Sequence, residues 1–255
     1  MATYRDVAEE LRRRIELELD QYRPGDNLPT IDELGAEFGL TKQTIRSAIR
    51  VLADEGLVST GRGRPARVRD NQRIRIPFSR YGGVMAPGGT AGPWESACAE
   101  QGLDGRMKTV AVDTRPIGQA DAALLGVPPG SDVVYRRRHA CVGDDVLQVQ
   151  QAWYPRTVAL QAGLTTTRKI EGGVYGALTA SGMAPSELDE TIRGRMPTTE
   201  EAELLHTGTG VPLLTVERVT RGSDGQPLEL LRVTAPADRI EFVYNNLPLP
   251  SGGTA

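Results

Sequence analysis

Histidine and cysteine are scarce in this 255-residue chain, which contains only two of each. His139 and His206 stand far apart, and Cys98 and Cys141 have neither C-x-x-C spacing nor the spacing of metal ligands. These counts leave little material for a catalytic triad or a metal site. We therefore expect no catalytic residues, no bound metal, no cofactor and two reduced thiols.

Long apolar stretches are also missing, since no run of about 18 apolar residues occurs that could span a membrane. The opening residues, MATYRDVAEELRRR, lack the apolar core of a secretory signal. Both absences predict a cytoplasmic protein. Aromatic residues are sparse at 5%, but a hydrophobic share of 39% is enough for the cores of one large or two ordinary domains.

Basic residues are concentrated in one part of a chain whose net charge is −3. Residues 41–75 contain nine basic and three acidic side chains, whereas residues 1–40 contain five basic and ten acidic ones. A local basic patch on an otherwise acidic chain is typical of proteins that bind a polyanion such as nucleic acid. A solvated charged surface would also explain a run of charges. The sequence pattern around the charges is therefore needed to choose between the two interpretations.

The spacing of apolar residues predicts a first helix over residues 4–19, with an apolar stripe at Val7, Leu11, Ile15 and Leu19. Thr30 precedes Glu33 at the spacing of a capping box and predicts the start of a second helix, which ends at Gly39. A third helix is predicted over residues 42–55. Two short helices separated by a tight turn have the spacing of a helix-turn-helix.

The third helix is predicted to place apolar side chains on one face and polar ones on another. Arginine and lysine can reach guanine, glutamine can bridge adenine, and threonine can bond a base or a phosphate. The side chains of this kind at the cap and along the polar face are Thr41, Lys42, Gln43, Thr44, Arg46 and Arg50. This face is therefore a candidate reader of the DNA major groove.

Residues 57–69 predict two short strands joined by a glycine-rich turn, which together form a β-hairpin. Arg62, Gly63 and Arg64 stand at its tip. Glycine lets the backbone approach DNA closely, and arginine suits a narrow minor groove. We expect these three residues to contact DNA as a wing beside the third helix.

The later part of the chain contains an internal repeat. Residues 80–93 are rich in glycine and proline and predict a linker. Beyond it, residues 120–145 and 200–225 align at an offset of 80, with the shared positions Ala122/Ala202, Leu125/Leu205, Gly130/Gly210 and Arg138/Arg218. Two similar units of helix, turn and strands predict one antiparallel sheet built from two halves, with helices on one face.

Residues 23–68, RPGDNLPTIDELGAEFGLTKQTIRSAIRVLADEGLVSTGRGRPARV, resemble the winged helix-turn-helix of GntR-type bacterial transcription regulators. The resemblance implies that base readers occupy the positions Lys42, Gln43, Thr44 and Arg46, and that the wing contacts come from Arg62 and Gly63. Asp32 departs from the pattern, because the family often has an arginine there. An aspartate repels phosphate, so this contact is expected to be missing or altered.

The remainder, about residues 80–247, resembles the UTRA effector domain of the HutC subgroup, which is similar in fold to chorismate lyase. Segments that carry the resemblance include LLGVPPGSDVVYRRR, VYGALTASG and GVPLLTVERVTRGSDGQPLELLRV. The resemblance implies an effector pocket that contains Arg138, Gln150, Tyr175 and Glu229. Arg136 and Arg137 precede Arg138, and one of the two is expected to face solvent.

Three positions of the implied pocket depart from the family pattern. Gln150 replaces the usual acid, and Gly173 and Ala235 stand where serine and tyrosine are common. Each change removes a charged or polar group from the pocket. The sequence therefore predicts an effector that is less polar than a sugar phosphate.

These patterns together predict an α+β protein with a winged helix-turn-helix followed by a chorismate-lyase-like domain with an antiparallel sheet. The expected boundaries are a DNA-binding domain over 1–75, a linker over 76–93, an effector-binding and dimerisation domain over 94–247 and a disordered tail over 248–255.

The function predicted from this organisation is that of a cytoplasmic, nucleoid-associated regulator without enzymatic activity. It would most simply be a repressor that binds a palindromic operator as a homodimer and is released by a small-molecule effector. Two alternatives remain open at this point, a constitutive regulator without an effector and a lyase-like enzyme.

Overall fold

The fold was analysed in a computed structural model, which describes residues 3–61, 64–69, 73–77 and 92–245. Its helices are α1 (Tyr4–Glu16), α2 (Ile31–Phe38), α3 (Lys42–Asp54), α4 (Pro93–Ala99), α5 (Gln119–Leu125), α6 (Arg156–Gln161), α7 (Gly173–Ala180) and α8 (Thr199–Leu204). Its strands are β1 (Val58–Gly61), β2 (Arg64–Val68), β3 (Ile74–Pro77), β4 (Gly105–Pro116), β5 (Asp132–Val142), β6 (Asp145–Pro155), β7 (Pro185–Arg195), β8 (Leu213–Gly222), β9 (Pro227–Pro236) and β10 (Ile240–Val243).

The chain divides into two compact units whose boundaries do not follow the sequence in one cut. The first contains Met1–Arg73, Arg195–Leu213 and Pro236–Arg239. The second contains Ile74–Gly194, Leu214–Ala235 and Ile240–Ala255. Most of the linker expected at 76–93, and the whole of the tail expected at 248–255, lie outside the described residues.

Side-chain caps begin α1, α2 and α3 of the first unit, and those of α2 and α3 stand where the sequence pattern places them. The hydroxyl of Thr30 accepts from the backbone N–H of Glu33 at 3.2 Å, while Glu33 accepts in return from the backbone N–H of Thr30 at 2.7 Å. Gly39 then ends α2 in the left-handed conformation at a φ of 65°. Thr41 caps α3 through the backbone N–H of Thr44 at 3.3 Å. These caps fix the tight turn between α2 and α3.

The first helix is shorter than its apolar periodicity predicts. The expected range was 4–19, but α1 ends at Glu16, and Glu18 and Gln21 have positive φ angles of 47° and 66°. Leu19 is 40% exposed and does not extend the apolar stripe. The prediction was wrong because the periodicity of apolar residues shows only which side chains could face a core. The backbone has already left the helical conformation when it reaches Leu19.

One apolar core joins α1, α2 and α3 to the hairpin. Leu11, Leu34, Ile45 and Leu52 are fully buried within it, and Val58 and Val68 of the hairpin strands belong to the same cluster. At its edge, the guanidinium of Arg12 donates to both carboxylate oxygens of Glu55, which follows α3, at 2.7 Å and 2.9 Å.

The hairpin is completed by the chain that leads into α2. Strands β1 and β2 pair antiparallel, as the sequence predicts. Gly25 donates its backbone N–H to the carbonyl of Val68 at 3.0 Å, and Leu28 donates to the carbonyl of Ala66 at 2.7 Å. Gly25 has a φ of +89°, a conformation that glycine adopts without strain. The Pro-Gly turn after α1 therefore supports the outer strand of the wing.

Residues from late in the chain pack against the C-terminal end of α3 in the same unit. A Cβ added to Gly208 would lie 2.1 Å from the carbonyl oxygen of Ala53, and one added to Gly210 would lie 2.2 Å from that of Asp54. Thr209 donates its hydroxyl to the Asp54 carboxylate at 3.2 Å. The absence of side chains at positions 208 and 210 is what allows this close approach.

A buried ion pair strengthens this junction. The guanidinium of Arg69 lies 2.7 Å from the carboxylate of Asp238, and only 3% of the Arg69 side chain is exposed. Arg69 also donates to the hydroxyl of Thr207 at 3.4 Å. Because a buried charge that loses its partner is strongly destabilising, this pair ties the end of the wing to residues 207 and 238.

The second unit is organised around a six-stranded sheet in the order β4-β5-β6-β9-β8-β7. The predicted internal repeat is visible in this order, since β4, β5 and β6 correspond to β7, β8 and β9 at an offset of about 80 residues. Strands β6 and β9 meet at the centre and pair antiparallel. The sheet is therefore built from two similar halves, as predicted.

Helices cover both faces of this sheet, so the expectation of helices on one face was wrong. Ala159 of α6 and Leu178 of α7 pack in one cluster with Leu231 of β9. Ala122 of α5 packs with the neighbouring strand residue Leu230, which faces the other way. The repeat pattern shows that helices alternate with strands but carries no information on which face each helix covers.

A short parallel pair lies beside the main sheet. Residues Ile74–Pro77 of β3 pair with Ile240–Val243 of β10, and Ile74, Ile76 and Ile240 are buried in a cluster with Trp94. The expected boundary between residues 75 and 76 therefore falls inside a strand.

Within the described part of the chain, no helix is long and apolar enough to cross a membrane. The same residues contain no group of three or more His, Cys, Asp or Glu side chains that could hold a metal ion.

The close approach at Gly208 leads to a first prediction. Gly208→Ala should lower the free energy of unfolding by about 1–3 kcal/mol, because the new Cβ collides with the backbone of α3 rather than with a movable side chain. Chemical denaturation measures the change. Gly194→Ala is the matched control, since nothing lies within 4 Å of its added Cβ. Equal stability of the two variants would show that residue 208 does not contact α3.

Candidate functional site

The polar face of α3 is open to solvent. Lys42, Gln43, Arg46 and Arg50 are exposed, whereas the apolar positions of the helix are buried in the core. The hydroxyls of Thr41 and Thr44 lie 2.9 Å apart at the first turn. The helix therefore presents long cations and an amide on one side, in the arrangement expected of a helix that enters the DNA major groove.

Asp32 contacts one of the predicted base readers. Its carboxylate lies 2.5 Å from the ammonium of Lys42, and both side chains are mostly exposed. The sequence indicated only that an aspartate at this position would repel phosphate. The structure adds that Asp32, near the start of α2, pairs with the first cation of α3.

A groove separates α3 from the strands of the wing. Arg46 and Arg50 line one side, and Thr60 and Pro65 line the other. Arg62 and Gly63, predicted at the wing tip, lie outside the described residues, and of Arg64 only the backbone is described, as the first residue of β2. Two of the predicted DNA contacts, Arg46 and Arg50, thus line a groove between α3 and the strands of the wing.

The four predicted effector residues line one cavity of about 130 Å³ in the second unit. Arg138 on β5 lies directly opposite Gln150 on β6 in the antiparallel register. Glu229 comes from β9 and Tyr175 from α7. Strand alternation explains the grouping, because residues two apart on a strand face the same side of the sheet.

The cavity residue Glu229 is held by the phenol of a buried tyrosine. Tyr154, fully buried on β6, donates its hydroxyl to the Glu229 carboxylate. Burial, together with the negative charge of Glu229, raises the pKa of the Tyr154 phenol well above its usual value. The phenol therefore keeps its proton and remains a donor, which leaves Glu229 as an ordered, buried acceptor.

Arg136 is a further cavity residue, buried to 1% exposure. Its guanidinium donates to the carbonyls of Leu164 at 2.5 Å and Thr166 at 2.6 Å. Burial lowers the pKa of this guanidinium from its usual value, although arginine remains charged in proteins. Of the two arginines that precede Arg138, Arg136 thus points to the cavity and the half-buried Arg137 to the other face.

Arg218 is placed in the cavity by the second half of the repeat, at the position equivalent to Arg138. It donates to the carboxylate of Glu190, which also accepts from the hydroxyl of Tyr244. Tyr175 lies 2.8 Å from the hydroxyl of Thr220, two residues further along the same strand.

Basic groups outnumber acidic ones in the cavity lining. The basic residues are Arg136, Arg138, Lys169 and Arg218, and the acidic ones are Glu95 and Glu229. Glu95 accepts from the backbone N–H of Met107 at 3.3 Å, so part of its acceptor capacity is already used. The cavity thus offers an electrostatically favourable place for an acidic molecule.

Several of these residues were not selected from the sequence, although three of them could have been. Arg136 shares a strand face with Arg138, and Arg218 aligns with Arg138 in the repeat. Gln148 likewise shares a face with Gln150 on β6. Lys169 and Trp94 carry no such pattern, because they reach the cavity from segments outside the sheet.

Family comparisons agree with this geometry. The sequence model of the gntR family of bacterial regulatory proteins matches residues 3–68, and that of the UTRA domain matches residues 100–241. The chain belongs to the GntR family of regulators that carry a UTRA domain. It is therefore a transcriptional regulator of the HutC type, with a DNA-binding head and an effector domain.

Named relatives match over nearly the whole chain. The transcriptional repressor PhnF of Mycolicibacterium smegmatis is 27% identical, over 91% of this chain and 89% of its own. The mannosyl-D-glycerate transport/metabolism system repressor MngR of Escherichia coli is 24% identical, over 94% and 93%. The crystal structure of PhnF from Mycobacterium smegmatis superposes with a TM-score of 0.60 at 26% identity, covering 96% of this chain and all of that one.

The contact between Asp32 and Lys42 leads to a second prediction. Asp32→Asn should strengthen binding to a DNA duplex selected from a random pool by about 2- to 5-fold at low salt, because it releases Lys42 and removes a charge that repels phosphate. Fluorescence anisotropy measures the affinity. In a Lys42→Met background the gain should shrink. Unchanged or weaker binding by Asp32→Asn would show that this pair does not face DNA.

Proposed function

We propose that the protein is a repressor that binds a palindromic operator as a homodimer and is released by a small-molecule effector. The proposal rests mainly on one observation: a chain with a DNA-binding head also has one cavity lined by Arg138, Gln150, Tyr175 and Glu229. An empty effector fold would have no need for buried charged groups around such a space.

The DNA-binding head would supply the first part of this function, the recognition of the operator. Lys42, Gln43, Thr44 and Arg46 would contact bases, Thr41 and Arg50 would contact phosphate, and the wing residues Arg62, Gly63 and Arg64 would approach the minor groove. A homodimer would present two such heads to the two halves of a palindrome. The protein would then act in the cytoplasm, on the nucleoid.

The effector response would be a shift of population between DNA-competent and DNA-incompetent arrangements. A ligand can shift this equilibrium only by its difference in affinity for the two states. Thermodynamic linkage then requires operator DNA to weaken effector binding by the same factor by which the effector weakens DNA binding. This reciprocity can be measured without knowing the target genes.

The enzymatic alternative has little support from the cavity. None of the described residues that line it is serine, cysteine or histidine, so this group contains neither a Ser-His nor a Cys-His pair. Tyr154, which donates to Glu229, is held protonated by burial. A constitutive regulator is the remaining alternative, and the buried charged lining argues against it.

The exposed face of α3 leads to a third prediction. Arg46→Ala should weaken binding to the selected duplex by about 1–3 kcal/mol per half-site and relax the sequence preference at one base position. Arg168→Ala, which removes an exposed charge from the effector domain, is the control and should change little. Equal losses on selected and random DNA would assign Arg46 to a phosphate instead of a base.

Salt dependence tests the same surface as a whole. If the basic face of the head neutralises several phosphates, affinity should fall by roughly 100-fold or more between 50 and 200 mM salt, because bound counterions are released. A flat response would contradict the assignment of this surface to DNA.

The cavity leads to a fourth prediction. Arg138→Ala should keep operator affinity and lose the response to effector, because it removes a charged donor from the cavity. Arg137→Ala is the matched control, since this neighbour points to the other face of the sheet. The effector is first identified by mass spectrometry of small molecules that co-purify with the protein, and release from DNA is then titrated. An Arg138→Ala protein that responds like wild type would place the site elsewhere.

A further inference from the structure

The cavity contains a buried amide whose donor group has no acceptor. Gln148 lies on β6, lines the cavity and is only 3% exposed. Its carbonyl oxygen accepts from the side-chain amide of Gln150 at 3.3 Å. Its Nε2 atom, which carries two N–H groups, is shielded from solvent and has no hydrogen-bond partner among the described residues. Such an unsatisfied donor destabilises a folded protein.

Other buried donors without partners lie on the same wall. The Nε atoms of Arg136 and Arg138 are also shielded and unpartnered, and both residues come from β5, the strand next to β6. Within the described lining, the shielded side-chain atoms that lack a partner are all N–H donors. The buried acceptors, by contrast, are supplied, since Glu229 accepts from Tyr154 and Gln148 accepts from Gln150.

This excess of donors specifies the chemistry of what fills the space. An ammonium group placed beside Gln148 would bring only donors to a wall that already has too many, and a hydroxyl would bring an acceptor oxygen together with a further proton. A group with several acceptor oxygens and no proton of its own would satisfy the donors and balance the local positive charge.

We propose that Gln148 is a specificity-determining residue of the effector site, and that it donates to an oxyanion, either a carboxylate or a phosphate, on the effector. The inference rests on the proposed effector function and differs from the sequence-based expectation of a less polar ligand. The amide of Gln150 contributes to this specificity. It donates to the side-chain carbonyl of Gln148, so the N–H groups of Gln148 remain available to the effector.

The first test needs no ligand. Gln148→Met keeps the length of the side chain and removes the unpaired donor, so it should raise the melting temperature of the effector-free protein by roughly 2–6 °C. Gln151→Met is the matched control. Gln151 lies three residues after Gln148 on the same strand. Its side-chain amide donates to the hydroxyl of Tyr135 at 2.9 Å, so loss of this hydrogen bond should lower the melting temperature. A fall in both variants would show that Gln148 is satisfied in the folded protein and would overturn the proposal.

The second test uses the simplest oxyanions as probes. Melting temperatures of wild type and Gln148→Met are measured with inorganic phosphate, with acetate, with chloride at equal ionic strength and with glucose. Phosphate also stabilises proteins generally, and the variant corrects for that effect. Wild type should gain more than the variant from phosphate or from acetate, and the probe with the larger difference identifies the group. Equal gains from all probes would overturn the oxyanion assignment.

A third variant guards against a trivial effect of substitution. Gln148→Glu replaces the donor by an acceptor of the same size, so it should also lose the extra gain from phosphate or acetate, whereas a site that needs only polarity would keep it. These outcomes are separate from the operator experiment with Arg138→Ala. If the wild-type protein is released from DNA by an effector but shows no extra gain from phosphate or acetate, only the ligand class is refuted. If no effector releases the wild-type protein from DNA, the proposed function is refuted.

Discussion

The pairing of β6 with β9 is the interaction on which the effector domain depends. It joins the two halves of the repeat, which would otherwise be separate three-stranded sheets with two open edges each. Gln150 lies opposite Val233 in this register, and the same alternation brings Tyr154 beside Glu229. A shift of one residue would turn these side chains to the other face of the sheet, so the register also determines the composition of the cavity.

Three charged side chains that line the cavity are held by hydrogen bonds with other groups of the protein. Tyr154 holds Glu229, backbone carbonyls hold the guanidinium of Arg136, and Glu190 holds Arg218. Each of these three charges therefore has a partner from the protein, in keeping with the high free-energy cost of an unpaired one. Among the described lining residues, the shielded donors that remain unpaired lie on the wall formed by β5 and β6, and this uneven distribution is what gives the cavity a chemical preference.

The reading helix α3 is constrained differently at its two ends. Its N-terminal turn is capped by Thr41 and presents exposed side chains, one of which is held by Asp32. Its C-terminal end is packed tightly against Gly208 and Gly210, where the backbones meet without side chains between them. A helix fixed at its far end and exposed at its near end can present a constant set of side chains to DNA.

The sequence by itself determined the local architecture. The caps at Thr30 and Thr41 predicted where α2 and α3 begin, and the 80-residue repeat predicted a sheet of two halves, because capping and repetition are encoded by residues close together in the chain. It did not determine where α1 ends, which faces the helices cover or that residues near Gly208 pack against α3. Those features, and the convergence of Arg136, Gln148 and Arg218 on one cavity, were decided by the tertiary structure, because each depends on contacts between residues far apart in sequence.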